Sequence, residues 1–132
     1  MLADVTRMPE WSPECIRCQW LDEPAGPRVG ARFRGWNRLP LAGTWTSINT
    51  IVTCDPGREL AWAVGKDPAD PNTRWRYLLS GDAAGTEVVE RYEMLREPWI
   101  VRAYYRLTGR SRRLESAMQQ TLRRLKASAE GT

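Results

Sequence analysis

The chain has 132 residues, 42% of them hydrophobic and 27% charged, with a net charge of +4 and an isoelectric point near 9.3. That length holds one domain, residues 1–132, with a single core. The absence of histidine excludes Ser-His-Asp and Cys-His sites and the usual His-containing zinc sites. The longest uncharged run, Leu39 to Cys54, is rich in Thr, Ser and Asn and contains Pro40, so it is too short and too polar to cross a bilayer. The N-terminal MLADVTRMPEW lacks the basic start and apolar centre of a secretory signal, and a cytoplasmic protein is expected.

In chain order, Met1 to Val5 reads as the last turn of a helix. Thr6 to Glu14, with two prolines and the candidate caps Thr6 and Ser12, reads as a loop with one short turn. Cys15 to Leu21 is a strand, and DEPAGPRVG (Asp22 to Gly30) is turn chemistry throughout. Ala31 to Asn37 is a strand with Phe33, Gly35 and Asn37 on one face and Arg32, Arg34 and Trp36 on the other. Gly35 in mid-strand predicts a bend or a close approach by another element. Thr44 to Thr53 and Glu59 to Val64 form a hairpin about Asp55-Pro56-Gly57. A five-residue turn over 54–58 sets Val52 opposite Leu60, Thr50 opposite Trp62 and Ile48 opposite Val64. After the loop Lys66 to Asn72 come the strands Thr73 to Ser80 and Thr86 to Met94, joined by a turn over Gly81 to Gly85.

The last stretch, Val101 to Lys126, is the long helix. Tyr104, Leu107, Leu114, Met118, Leu122 and Leu125 line one side. Arg102, Arg106, Arg110, Arg112, Arg113, Arg123, Arg124 and Lys126 line the other. Gly109 is either a bend that makes room for a ligand or simply a tolerated glycine. Most of the basic excess sits on this segment, which favours a solvated helix face over a nucleic-acid or acidic-membrane partner. A nucleic-acid binder would show steep salt dependence. A meander of antiparallel strands followed by one long amphipathic helix predicts an α+β domain with the helix against one face of the sheet.

The three cysteines are Cys15, Cys18 and Cys54. Strand alternation puts residues three apart on opposite faces, so the C-x-x-C at 15–18 is expected to hold its sulfurs apart as reduced, packed thiols. Cys54 has no candidate base beside it in sequence. No metal site and no cofactor are expected.

The order of these stretches resembles a known superfamily. DVTRMPEWSPE (Asp4 to Glu14), GARFRGWN (Gly30 to Asn37), DPGRELAW (Asp55 to Trp62), W-R-Y (Trp75 to Tyr77), GTEVVE (Gly85 to Glu90) and the helix through RLTGR are similar to the SRPBCC, START-like proteins. Within that superfamily they look most like the polyketide cyclase/dehydrase and lipid-transport group. The resemblance implies a helix-grip fold, a curved antiparallel sheet wrapped around the C-terminal helix, with a cavity between them for an apolar ligand. Members of the superfamily usually begin with a further strand and most of a first helix. Here that strand is missing beside Thr86 to Met94, so either the chain is truncated or a partner chain, such as a second copy, covers the edge.

The ligand-facing residues expected from this reading are Asn37, Thr50, Trp62, Trp75, Tyr77, Glu90, Tyr92 and Met118. If the turn over 81–86 puts Tyr77 opposite Glu90, then Trp75, Tyr77, Glu90 and Tyr92 share the inner face. A carboxylate there is desolvated, its pKa is raised, and it suits general acid or base work. The alternative is that Glu90 pairs with Arg76 across the strands. The expected function is binding of a small hydrophobic or aromatic molecule. An aromatase/cyclase-type enzyme using Glu90 is the alternative.

Overall fold

A computed structural model of the chain describes residues 1–39, 43–82, 84–95 and 110–131. A 3₁₀ turn, Val5–Glu10, is followed by six strands: β1 (Cys15–Trp20), β2 (Arg32–Leu39), β3 (Gly43–Asp55), β4 (Glu59–Val64), β5 (Thr73–Asp82) and β6 (Gly85–Met94). One long helix, α1 (Arg110–Glu130), closes the order. The strands form one antiparallel sheet in sequence order, β1 to β6. α1 packs against β6 and the 3₁₀ turn. This is the expected α+β arrangement.

The expected start of the helix, with Tyr104, Leu107 and Gly109, lies outside the described residues. At its other end α1 runs beyond Lys126 to Glu130, because Ala127-Ser-Ala-Glu offers no helix breaker. Gly131 N–H then donates to Ala127 O at 2.9 Å. Leu114, Thr121 and Leu125 are buried and Met118 and Leu122 half-buried, whereas Arg123, Arg124 and Lys126 are exposed. At the N-terminus the expected helix end over Met1 to Val5 is not formed. The 3₁₀ turn begins at Val5 instead, because Asp4 caps it: its carboxylate accepts the Thr6 N–H at 3.2 Å. Ser12 Oγ accepts the Cys15 N–H at 3.2 Å and ties this segment to β1.

The core lies on the inner face of the sheet. Val5, Phe33, Ile51, Leu60, Trp62 and Tyr77 form one buried cluster with Trp20 packed against it. Trp20, Phe33, Trp62 and Tyr77 make an aromatic chain with successive ring centroids 5.9, 5.7 and 5.7 Å apart. Burying a side chain such as Phe33 contributes roughly 1.5–3 kcal/mol, so this chain is a main source of cohesion between strands.

Two β-bulges overturn two expected alignments. Near the β3–β4 turn, Asp55 pairs with Glu59 and Cys54 with Leu60, so the loop has three residues rather than five. The register then shifts between Ile51 and Thr53, and beyond it Ile51 faces Trp62, Thr50 faces Ala63 and Asn49 faces Val64. One extra residue in a strand exchanges its two faces. Thr50 therefore turns away from Trp62, and it is buried on the opposite side of the sheet from the expected one.

The second bulge lies in β1, between Cys15 and Arg17. Cys15 pairs with Asn37 and Cys18 with Gly35, two residues apart on β2. The bulge absorbs one residue, so both cysteines point to the same face, and their sulfurs are 3.2 Å apart. The expectation that a strand must keep them apart fails for this reason. The three cysteines carry free thiols.

Candidate ligand-binding site

Alternation along each strand sends one set of side chains inward, and α1 lies over them. Between the two is a cavity of about 280 Å³. Phe33, Gly35 and Asn37 reach it from β2, Trp45, Ser47 and Asn49 from β3, and Trp62 and Val64 from β4. β5 and β6 supply Trp75, Tyr77, Glu90 and Tyr92, and α1 supplies Leu114, Ala117, Met118 and Thr121. Of the residues singled out from sequence, Asn37, Trp62, Trp75, Tyr77, Glu90, Tyr92 and Met118 meet here. Thr50 does not, for the register reason given above.

Gly35 makes the close approach expected of it. A Cβ at this position would stand 3.1 Å from Ser47 Oγ. The missing side chain leaves cavity space at a buried point of β2, beside Asn37.

The β5–β6 hairpin sets the polar centre of the site. Tyr77 pairs with Glu90 and Trp75 with Tyr92. The Tyr77 hydroxyl donates to Glu90 Oε1 at 2.9 Å, and the Trp75 and Tyr92 rings lie 4.5 Å apart between centroids. Glu90 Oε2 is buried without a hydrogen-bond partner among the described residues. Burial pushes the Glu90 pKa up to about 7, against a smaller downward pull from the Tyr77 hydroxyl. The Tyr77 phenol is itself pushed up, first by burial and then by the carboxylate beside it. The alternative partner for Glu90 is otherwise engaged: Arg76 is on the outer face, with its Nε 2.9 Å from Glu59 Oε1.

Sequence reasoning missed Ser47 and Asn49. The Asn49 amide donates to Phe33 O at 3.3 Å and to Ser47 Oγ at 3.1 Å, which fixes it in the wall. The only signal was the alternate line Trp45, Ser47, Asn49, and a strand with polar residues on both faces does not say which is inside. Cys15, Cys18 and Met8 were also missed as wall residues.

The family described as "Polyketide cyclase / dehydrase and lipid transport" matches residues 1–130. A polyketide-cyclase-like protein of Corynebacterium glutamicum, solved by NMR, is 31% identical to this chain; the match covers 98% of this chain and 74% of that one, with a TM-score of 0.49. A crystal structure of a protein from Nitrosomonas europaea matches with 17% identity and a TM-score of 0.66, over 98% of this chain and 84% of that one. Another, from Mesorhizobium loti, matches with 19% identity and a TM-score of 0.58, over 96% and 84%. The two crystal structures bear on the fold alone, which is the helix-grip fold. No curated protein matches the chain. Among the described residues no helix is long and apolar enough to cross a membrane.

Proposed function

Since the chain belongs to the polyketide cyclase/dehydrase and lipid transport family, we propose that it binds a small apolar or aromatic molecule between the sheet and α1. The observation that carries this reading is the composition of the cavity wall. Trp62, Trp75, Tyr77 and Tyr92 offer aromatic surface, and Glu90 Oε2 offers one buried acceptor with no partner among the described residues. Ligand pockets commonly combine apolar walls with a few convergent polar groups. In this reading Glu90 and Asn37 orient a polar end of the ligand, and Met118 closes the helix side. A ligand hydroxyl or amide N–H would satisfy Oε2 when Glu90 is ionised, and a ligand carbonyl would accept from it when Glu90 is protonated; leaving a buried polar atom of this kind unpartnered costs about 1–3 kcal/mol. Native mass spectrometry of the purified protein tests the proposal. A retained small molecule, displaced on unfolding, supports it. Failure of a panel of hydrophobic and aromatic ligands to quench tryptophan fluorescence or to raise the melting temperature would sink it.

A specific observation favours a second reading, an aromatase/cyclase-type enzyme acting on a polyketide-like chain. A carboxyl group that titrates near 7 is matched to acid–base work at neutral pH. Glu90 would take a proton from an acidic carbon of the bound chain or give one to a developing alkoxide, with Tyr77 holding Oε1. Glu90→Gln separates the two readings. Turnover that collapses while affinity holds marks an enzyme. A change in affinity alone marks a binder.

A further inference from the structure

Three sulfurs meet at the β1 end of the cavity. Cys15 Sγ and Cys18 Sγ are 3.2 Å apart, and Cys18 Sγ lies 3.9 Å from Met8 Sδ. Cys15 and Cys18 are only 5% and 7% exposed, yet both line the cavity, which gives a small solute its route to them. Neither is needed for the ligand contacts proposed above. Cys54, on β3, does not line the cavity.

The backbone is placed for a bond between the two. Their β2 partners, Gly35 and Asn37, are two residues apart. That spacing corresponds to about 6.7 Å along a strand, at the upper end of the roughly 4.4–6.8 Å Cα separation that disulfides span. The sulfurs need to close from 3.2 Å to about 2.05 Å, mainly by rotation about the side-chain bonds.

We infer that Cys15 and Cys18 are an oxidisable dithiol, a modification site where a small hydroperoxide entering the cavity drives formation of an intrastrand disulfide. The attack is assigned to Cys15, whose thiolate would have the Cys18 thiol 3.2 Å away as its hydrogen-bond donor. The Cys18 thiol donates to it when it is ionised, which lowers the Cys15 pKa from its ordinary value; the same bond and burial raise that of Cys18. The thiolate attacks the terminal peroxide oxygen and the O–O bond breaks. The leaving oxygen departs as water or an alcohol after taking a proton, and Cys15 becomes a sulfenic acid. Cys18 sulfur then attacks the sulfenic sulfur. The S–OH bond breaks, and the hydroxyl leaves as water with the Cys18 proton. In total two thiols lose two electrons and two protons, and one peroxide is reduced.

The test uses the whole chain, treated with equimolar hydrogen peroxide, alkylated with iodoacetamide and digested with trypsin. Cleavage after Arg7, Arg17 and Arg28 places the two cysteines on separate peptides, 8–17 and 18–28. The expected product is these two peptides joined, two hydrogens lighter than the free pair and separated by a reductant, with Cys54 alkylated. Alkylation of both Cys15 and Cys18 after peroxide, a link made through Cys54, or separate over-oxidation of the pair would each overturn the inference. This readout needs no variant. As a second measurement, dimedone should label Cys15 in Cys18→Ser but leave Cys18 unlabelled in Cys15→Ser. Equal labelling of the two variants would overturn the role given to Cys15.

Discussion

The Tyr77 hydroxyl donates to Glu90 Oε1 at 2.9 Å across neighbouring strands, inside a wall that mixes aromatic and aliphatic side chains with Ser, Thr, Asn and a second carboxylate, Glu14. This contact joins the register of the β5–β6 hairpin to the chemistry of the cavity. It holds one carboxylate oxygen and leaves the other buried beside the space a ligand would fill.

An unperturbed Glu titrates near 4.5, and in the fold Glu90 is pushed up to about 7 by burial. Between these values the folded chain holds the proton and the unfolded chain has lost it. Stability therefore falls as pH rises through this window. The contribution is complete below the lower value and gone above the upper one, and it amounts to at most about 3 kcal/mol. Glu90→Gln cannot ionise, so its melting temperature should lack this component of the slope and exceed that of the parent at pH 8. Parallel profiles for the two proteins would contradict the burial of the carboxylate.

Tyr77→Phe removes the donor to Oε1. The hydroxyl pulls the Glu90 pKa down against the effect of burial, so the carboxyl should titrate above 7 in the variant. Loss of a hydrogen bond to a charged acceptor costs about 1.5–3 kcal/mol, and this cost should be larger at pH 8 than at pH 5. Carboxyl NMR titration and denaturant unfolding at both pH values check it. An unmoved midpoint would show that the hydroxyl does not act on Glu90.

Gly35 should control cavity size. Its backbone does not occupy the left-handed region, and the nearest obstacle to a Cβ is the Ser47 hydroxyl, the end of a side chain that can rotate. Gly35→Ala should therefore bind nearly as the parent does. Gly35→Leu should lower affinity for a cavity ligand at least about tenfold, or 1.4 kcal/mol, with the far-UV circular dichroism unchanged. Titration calorimetry with a ligand found by the native mass spectrometry distinguishes the two. Equal binding by the leucine variant would place the ligand elsewhere.

The outer edge of β6 has no strand beside it among the described residues, and a second copy is one partner expected to cover it. Glu87, Val89 and Arg91 are exposed in alternation. Two β6 strands paired antiparallel about Val89 would set Glu87 opposite Arg91 at both ends. Such pairs contribute about 0.2–1 kcal/mol each, and like charges oppose pairing. Arg91→Glu should weaken a homodimer, and Glu87→Arg with Arg91→Glu should restore it. Analytical ultracentrifugation reads the result. A parent protein that stays monomeric at high concentration would contradict the expectation of a second copy at this edge.

The order of elements was legible in the sequence because hydrophobic period, turn residues and helix patterning are local. The six strands and the C-terminal helix lie within a few residues of the expected bounds wherever the chain is described. The aromatic side of the site was legible for the same reason. Trp75, Tyr77, Glu90 and Tyr92 alternate in two strands joined by a short turn, so a single register brings all four together.

Tertiary structure alone decided the rest. A bulge at Val52 handed the wall from Thr50 to Asn49, and a bulge at Ile16 brought Cys15 against Cys18. A bulge is settled by how two strands pair with each other and with what lies beneath them, and one extra residue reverses every side chain on one flank of it. The carboxylate likewise owes its raised pKa to the side chains that close around it. Local pattern supplied the residues, and pairing between distant stretches chose which of them look inward.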